Sequence, residues 1–392
     1  MKDSTKVGIG LFILFVAVFL KVTYFQDTLA ISGSFSKQCS EEYLSSFGKV
    51  GSDLGEFSRS ISRFAVSPFG FVYAADPDRL LLYKFSSDGR FLTSLGGQNL
   101  WLPNSSPESG RFSGFLSHIE VAPDGLVYVS DVENRRIQVF DDQGTYVKTY
   151  GDTGKKERTT DFGAFFPSGP REFVLSEDGS VLVAADVNRP RLLRYFTTRD
   201  DFQSTLFGSA GKQNGQFRFP VEDFVIWNDQ IFVHDYGNKR IQVFDLDGNY
   251  LRKFGWDSSD TPYLGGISGD IAVAADGSVF VVDTAHYRVL KFNPEGMFLS
   301  SFGSQGKGDG AFSLYPGRMK LDHDGNVWVV DRGSFRIHKF NPQGEYLLSL
   351  GGFGHQDGLF SSTNLDLAFD TFNNLYVLDP ENVRIHKFGK LC

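Results

Sequence analysis

Two cysteines in 392 residues are too few for a zinc-binding RING or any other cysteine-rich metal module. Basic charge is short as well: 39 Lys and Arg face 47 Asp and Glu, a net charge of -8. A nucleic-acid partner needs a basic face for its phosphates, so this balance argues against one. Methionine is rare, at three, against 40 Phe and 43 Gly, a bias toward strands and tight turns. No nucleophile stands in sequence beside a base that would activate it.

Long apolar runs are also nearly missing, and the exception sits at the start. Lys2 and Lys6 precede fourteen uncharged apolar residues from Val7 to Leu20, after which Lys21 interrupts and Val22 to Phe25 continue. That length suits a signal peptide, and the longer stretch to Phe25 suits a signal anchor if Lys21 snorkels. Thr28-Leu29-Ala30 offers a cleavage site. The sequence therefore divides into a signal anchor or signal peptide (1-26), a polar linker (27-42) and a main domain (43-392). Either form of the first segment exports the rest, giving a membrane-anchored extracytoplasmic domain, or a secreted one after cleavage.

What is present in abundance is repetition. An Asp closes an apolar run at Asp76, Asp131, Asp186, Asp235, Asp283, Asp331 and Asp379, with spacings of 55, 55, 49, 48, 48 and 48. After most of them come an Arg and then a Phe, as in Asp235, Arg240, Phe244 or Asp331, Arg336, Phe340. Ile271 to Gly303 shows the whole unit: four alternating segments of four to six residues, bounded by Gly, Asp, Asn or Pro. Four short antiparallel strands per repeat make a propeller blade, so the expected fold class is an all-β, seven-bladed propeller. Tyr43 to Gly48 (YLSSFG) matches the outer strand Phe298 to Gly303 (FLSSFG), yet no blade precedes it. The last repeat ends at Phe388 with no outer strand. Tyr43 to Phe47 is expected to pair with Arg384 to Phe388 and close the ring. Antiparallel pairing sets the start of one strand beside the end of the other, so Cys39 and Cys392 are expected to form a disulfide.

These motifs resemble NHL repeats over nearly all of Tyr43 to Phe388. NHL propellers usually carry six blades, and blades one and three depart most, with Asp76 leading to Arg79 and with Arg189-Pro190-Arg191. Fold alone implies no activity, and without a nucleophile-base arrangement the expected function is a non-catalytic binding or scaffold propeller facing the extracytoplasmic space. The intracellular members of the family, ubiquitin ligases with RNA-binding NHL domains, do not transfer, because the RING is missing and the charge is acidic. A second reading is similarity to the peptidyl-hydroxyglycine amidating lyase, an exported NHL-like propeller using zinc and calcium. Four of seven histidines (His118, His234, His286, His355) are then expected on the loop-rich face, with His338 and His386 structural. Seven blades also resemble streptogramin lyase, but no local pair of His and Glu matches one.

Residues needed in every blade are read as structural: the Asp-Arg pairs, the Phe set and the glycines. The glycines precede strands rather than helices and imply no phosphate loop. Function is expected where repeats differ. The position before the innermost strand reads Arg63, His118, Glu172, Asp223, Asp270, Arg318 and Asp366, all able to carry charge. A ring of this kind suits a polar ligand or a cation, with Glu172, Asp223 and Asp270 as an acidic arc. The alternative is backbone hydrogen bonding, with arginines neutralising neighbouring acids. Two enlarged loops, Leu100 to Ser117 and Asp152 to Pro170, present Trp101, Arg111, Lys155, Lys156 and Arg158 to a protein partner.

Overall fold

The computed structural model describes residues 42–59, 61–97, 109–112, 116–151, 169–186, 189–198, 204–255, 264–265, 267 and 269–389. The chain divides into two units, Met1–Cys39 and Ser40–Cys392, and the first lies wholly outside the described residues. So do Cys39, Cys392, Trp101, Lys155, Lys156 and Arg158, together with the expected signal segment. Among the described residues no helix is long and apolar enough to cross a membrane.

The second unit folds as seven four-stranded antiparallel sheets. Blade 5 is representative: Ile271–Val273, Val279–Asp283, Arg288–Phe292 and Phe298–Phe302, joined in sequence order. Its second strand, VFVVD, is buried at every position, because both faces of a central strand are covered by neighbouring blades. Its outer strand, FLSSF, is mostly exposed and buries only its final Phe302.

The seventh blade is built from both ends of this unit. Asp366–Phe369, Leu375–Asp379 and Arg384–Phe388 are completed by Tyr43–Phe47. Tyr43 lies opposite Phe388 and Phe47 opposite Ile385, with a bulge after Tyr43. Gly389 N–H donates to the Glu42 carbonyl at 2.8 Å. The expected closure is therefore present, residue for residue, and no sheet is left one strand short.

Aromatic contacts seal the blades to one another. The outer-strand Phe of one blade packs on the third-strand Phe of the next: Phe47 on Phe85, Phe207 on Phe244, Phe254 on Phe292 and Phe302 on Phe340, with centroids 4.8–5.4 Å apart. The turn between third and fourth strands makes room for this. At Gly296 φ is +94°, and an added Cβ would stand 2.4 Å from the Phe254 ring. Glycine is required there twice, for the left-handed backbone and for the approach of the neighbouring ring.

The repeated Asp anchors the loops. Asp235 accepts from Arg240 Nε (2.8 Å), Asn238 Nδ2 (2.8 Å) and Gln242 Nε2 (3.1 Å), while Arg240 Nη2 reaches the Gln213 and Gln216 carbonyls. In blade 4 the turn after the second strand is thereby tied to the loop that leads into that blade. Arg191 still pairs with Asp186 at 3.0 Å, so blade 3 keeps the motif despite its altered loop. Blade 1 departs as expected, with Leu81 opposite Asp76 and Arg79 reaching it only at 3.7 Å, and blades 6 and 7 depart as well. Arg336 is exposed, and Asp331 instead accepts from Ser313 and Ser334. Arg384 pairs with Asp357 (3.3 Å), and Asp379 accepts from Asn382 (2.7 Å).

A candidate ligand site in the central channel

The first strands of the blades pack against one another around the channel. In blades 2, 3 and 6 they start earlier and carry a bulge, two residues opposing one. Ser117-His118 face Ser130, Arg171-Glu172 face Ala185, and Gly317-Arg318 face Val330. A bulge bends its strand and re-aims the side chains on it. Those three bulges supply the residues that meet at the centre.

Glu172 is the hub. Its Oε2 lies 2.7 Å from His118 Nδ1 and its Oε1 lies 3.4 Å from Arg318 Nη2. Arg318 Nη1 is 3.4 Å from Asp270 Oδ1, whose other oxygen accepts the Met319 N–H at 2.9 Å. Arg63 donates from Nε to the Ser117 carbonyl and from Nη1 to the Ser62 carbonyl, both at 2.7 Å. The His118 ring edge packs on Phe173, with centroids 4.6 Å apart. Four blades thus contribute to one connected network of charge.

The electrostatics follow from that network. Burial acts against a charged His118, but the Glu172 charge and the hydrogen bonds that the ring donates to Glu120 and Glu172 outweigh it and push its pKa up to about 9. Burial likewise opposes Glu172 ionisation, and His118, Arg318 and Arg63 overcome it, holding the carboxyl down to about 2. Asp270 raises Arg318 further. Burial lowers Arg63, helped by repulsion from Arg318 and Arg171 and opposed by Asp366 and Glu172.

Two cavities flank this belt. One, about 380 Å³, is lined by Arg63, His118, Glu172, Arg318 and Asp366, five of the seven residues expected at the channel, and by the apolar Phe369 and Val121. The other, about 80 Å³, is lined by Arg63, Arg171, Glu172, Arg318 and Glu222. Asp223 and Asp270 line neither, and their carbonyls accept the His234 and Val282 N–H groups. The acidic arc expected for a cation is therefore interrupted, because Arg318 stands between Glu172 and Asp270. Sequence reading missed Glu120 and Lys320, two residues beyond His118 and Arg318 and on the same strand face, which period-2 alternation would have flagged. It also missed Arg171, which a bulge brings into the same cavity lining as Glu172.

The other candidates disperse. His234 is buried with Nδ1 2.6 Å from the Gly269 carbonyl, His286 holds Asp283 at 2.8 Å, and His355 meets Asn382 at 2.6 Å. The expected histidine set does not converge, and among the described residues no group of three or more His, Cys, Asp or Glu could hold a metal ion. Arg111 is exposed, while its backbone carbonyl accepts from Arg136 and Gln138 as a loop anchor.

Strands and site together define a seven-bladed β-propeller with an ion-paired central channel. The solved structures it resembles are propellers of the same type. A streptogramin B lyase structure superposes with a TM-score of 0.58 at 12% identity, covering 90% of this chain and 97% of that one. The selenomethionine-substituted virginiamycin B lyase from Staphylococcus aureus gives 0.58 at 14% identity, covering 86% and 97%. A catalytically inactive virginiamycin B lyase with quinupristin, from the same organism, gives 0.57 at 14%, covering 89% and 98%. Identities this low show the fold alone. No family model matches the sequence, and no curated protein matches it. The NHL resemblance therefore rests on the repeated motifs.

Proposed function

We propose that this chain is a non-catalytic binding propeller that takes a polar ligand in its central channel and a protein partner on its loop-rich face. The observation that carries the reading is the belt of ion pairs from His118 through Glu172 and Arg318 to Asp270 beside two cavities. A general acid or base works best with a pKa near the working pH. His118 stays protonated up to about pH 9 and Glu172 stays ionised down to about pH 2, so neither pKa is matched to proton transfer near neutrality. An ion-paired belt beside cavities of 380 and 80 Å³ is suited to recognise polar groups instead.

The runner-up is a metal-dependent channel enzyme, for which the shared fold with two lyases supplies the architecture alone. Two measurements on the full chain separate the readings. In a thermal-shift screen of amino acids, sugars, organic acids and polyamines, the binding reading expects at least one compound to raise the melting temperature, and Arg318→Gln to abolish the rise. Incubation with virginiamycin B is expected to leave it intact. Turnover that depends on added Mg²⁺ or Zn²⁺ would replace the binding reading with the enzymatic one.

The apolar run from Val7 to Leu20 behind Lys2 and Lys6 supports an extracytoplasmic address, anchored or secreted. The Cys39-Cys392 disulfide belongs to the same proposal. Peptide mapping with and without reductant tests it, two free thiols in the native protein being the contrary result.

A further inference from the structure

We propose that the 80 Å³ cavity at the channel mouth binds the anionic head group of a carboxylate or phosphate ligand through Arg63, Arg171 and Arg318. The inference rests on the channel-binding reading and gives its ligand a charge. It reverses the expectation of a cation at these positions.

Three arginines, from blades 1, 3 and 6, line the cavity. Two carboxylates share it. Glu172 is already engaged by His118 at 2.7 Å and by Arg318 at 3.4 Å. Glu222 lies at the exposed rim, on the loop that leads into blade 4. The guanidinium of Arg171 makes no ion pair among the described residues, and both ion pairs of Arg318 are long, at 3.4 Å. Donor capacity is thus left over where cations crowd together. Arg63 records that crowding, since Arg318 and Arg171 both act against its charge. An anion among the three would relieve the repulsion, and the guanidinium fork matches carboxylate and phosphate oxygens in pairs.

Size and construction agree. At about 30 Å³ per water, 80 Å³ admits roughly two or three waters, or one compact head group. The walls are built rather than incidental. Arg63 is pinned through Nε to the Ser117 carbonyl, and the buried Ser117 Oγ donates at 2.6 Å to the Arg171 carbonyl. The bulge in blade 2 therefore fixes the positions of the cationic residues on blades 1 and 3 on either side of it.

The test is titration calorimetry on the full chain at neutral pH and constant ionic strength, with sodium acetate and with inorganic phosphate as separate probes. One-to-one saturable binding of at least one probe is expected, and the preferred probe distinguishes a carboxylate from a phosphate source. Arg171→Ala removes an exposed side chain that the fold does not use, and is expected to weaken binding by about tenfold or more, the worth of a charged hydrogen bond. Arg63→Gln is expected to do the same. Binding of neither probe, or an affinity unchanged in Arg171→Ala, overturns the proposal. If a neutral or cationic compound stabilises the chain while both anions fail, this inference falls and the channel reading stands. If no compound of any class does so, both fall.

Discussion

The wall between blades and the channel they enclose follow opposite rules. At the wall the residue is largely repeated: in four of the seven blades a Phe of the outer strand meets a Phe of the next blade at 4.8–5.4 Å, and the apolar or aromatic Leu95, Tyr150 and Leu350 fill the same position in the others. In the channel the position is repeated but the residue is not, running Arg, His, Glu, Asp, Asp, Arg, Asp. A ring can close only if its seams are alike, whereas a ligand is recognised only by surroundings that differ from one side to another. Repetition therefore marks what holds this molecule together, and variation marks what it can bind.

The contrast predicts that damage to the wall costs stability and spares binding. Phe340 is fully buried between Phe302 and Phe312. Phe340→Ala is expected to destabilise the fold by about 3–5 kcal/mol in urea unfolding, with ligand affinity unchanged in whatever chain remains folded. Next in size is a test of the loop anchors. Arg240→Ala leaves Asp235 buried without its cation and is expected to cost about 3 kcal/mol. Arg336→Ala, at the matching position of blade 6, removes an exposed side chain and is expected to stay within about 0.5 kcal/mol. Equal losses would mean that blades 4 and 6 use the motif alike, against their hydrogen bonds. Gly296→Ala comes third, at about 1–3 kcal/mol for the left-handed backbone and the contact with Phe254.

The same contrast explains what could be read before any coordinates. Blade number, strand limits and the Tyr43-Phe388 closure were legible because they repeat, and repetition averages out local ambiguity. The charged ring was legible for the same reason, since the seven positions align in the repeat. What the ring does was not. Whether Glu172 faces a cation or stands alone depends on Arg318, 146 residues away in blade 6, and on a bulge that the sequence does not mark. The Arg336 pairing was misread by the converse error: the motif is intact in sequence, but Ser313 and Ser334 take its partner. Local pattern fixes the backbone of a repeat, and contacts between repeats decide which side chains are satisfied.

The smallest effect expected is the one that addresses the channel alone. The folded His118 pKa, about 9, lies above its ordinary value of 6.5, so the protonated ring stabilises the fold. That contribution is complete below pH 6.5 and is lost as pH rises through 9. The side chain keeps 26% of its exposure, so solvent screening limits the loss to about 1 kcal/mol. Urea midpoints measured at pH 6 and pH 9.5 should differ accordingly. In Glu172→Gln the difference should vanish, because Glu172 supplies the larger part of the attraction that holds the proton. A pH dependence that survives this substitution would place its origin in the wall or the loops, and the channel would lose the ion pair on which its separate role depends.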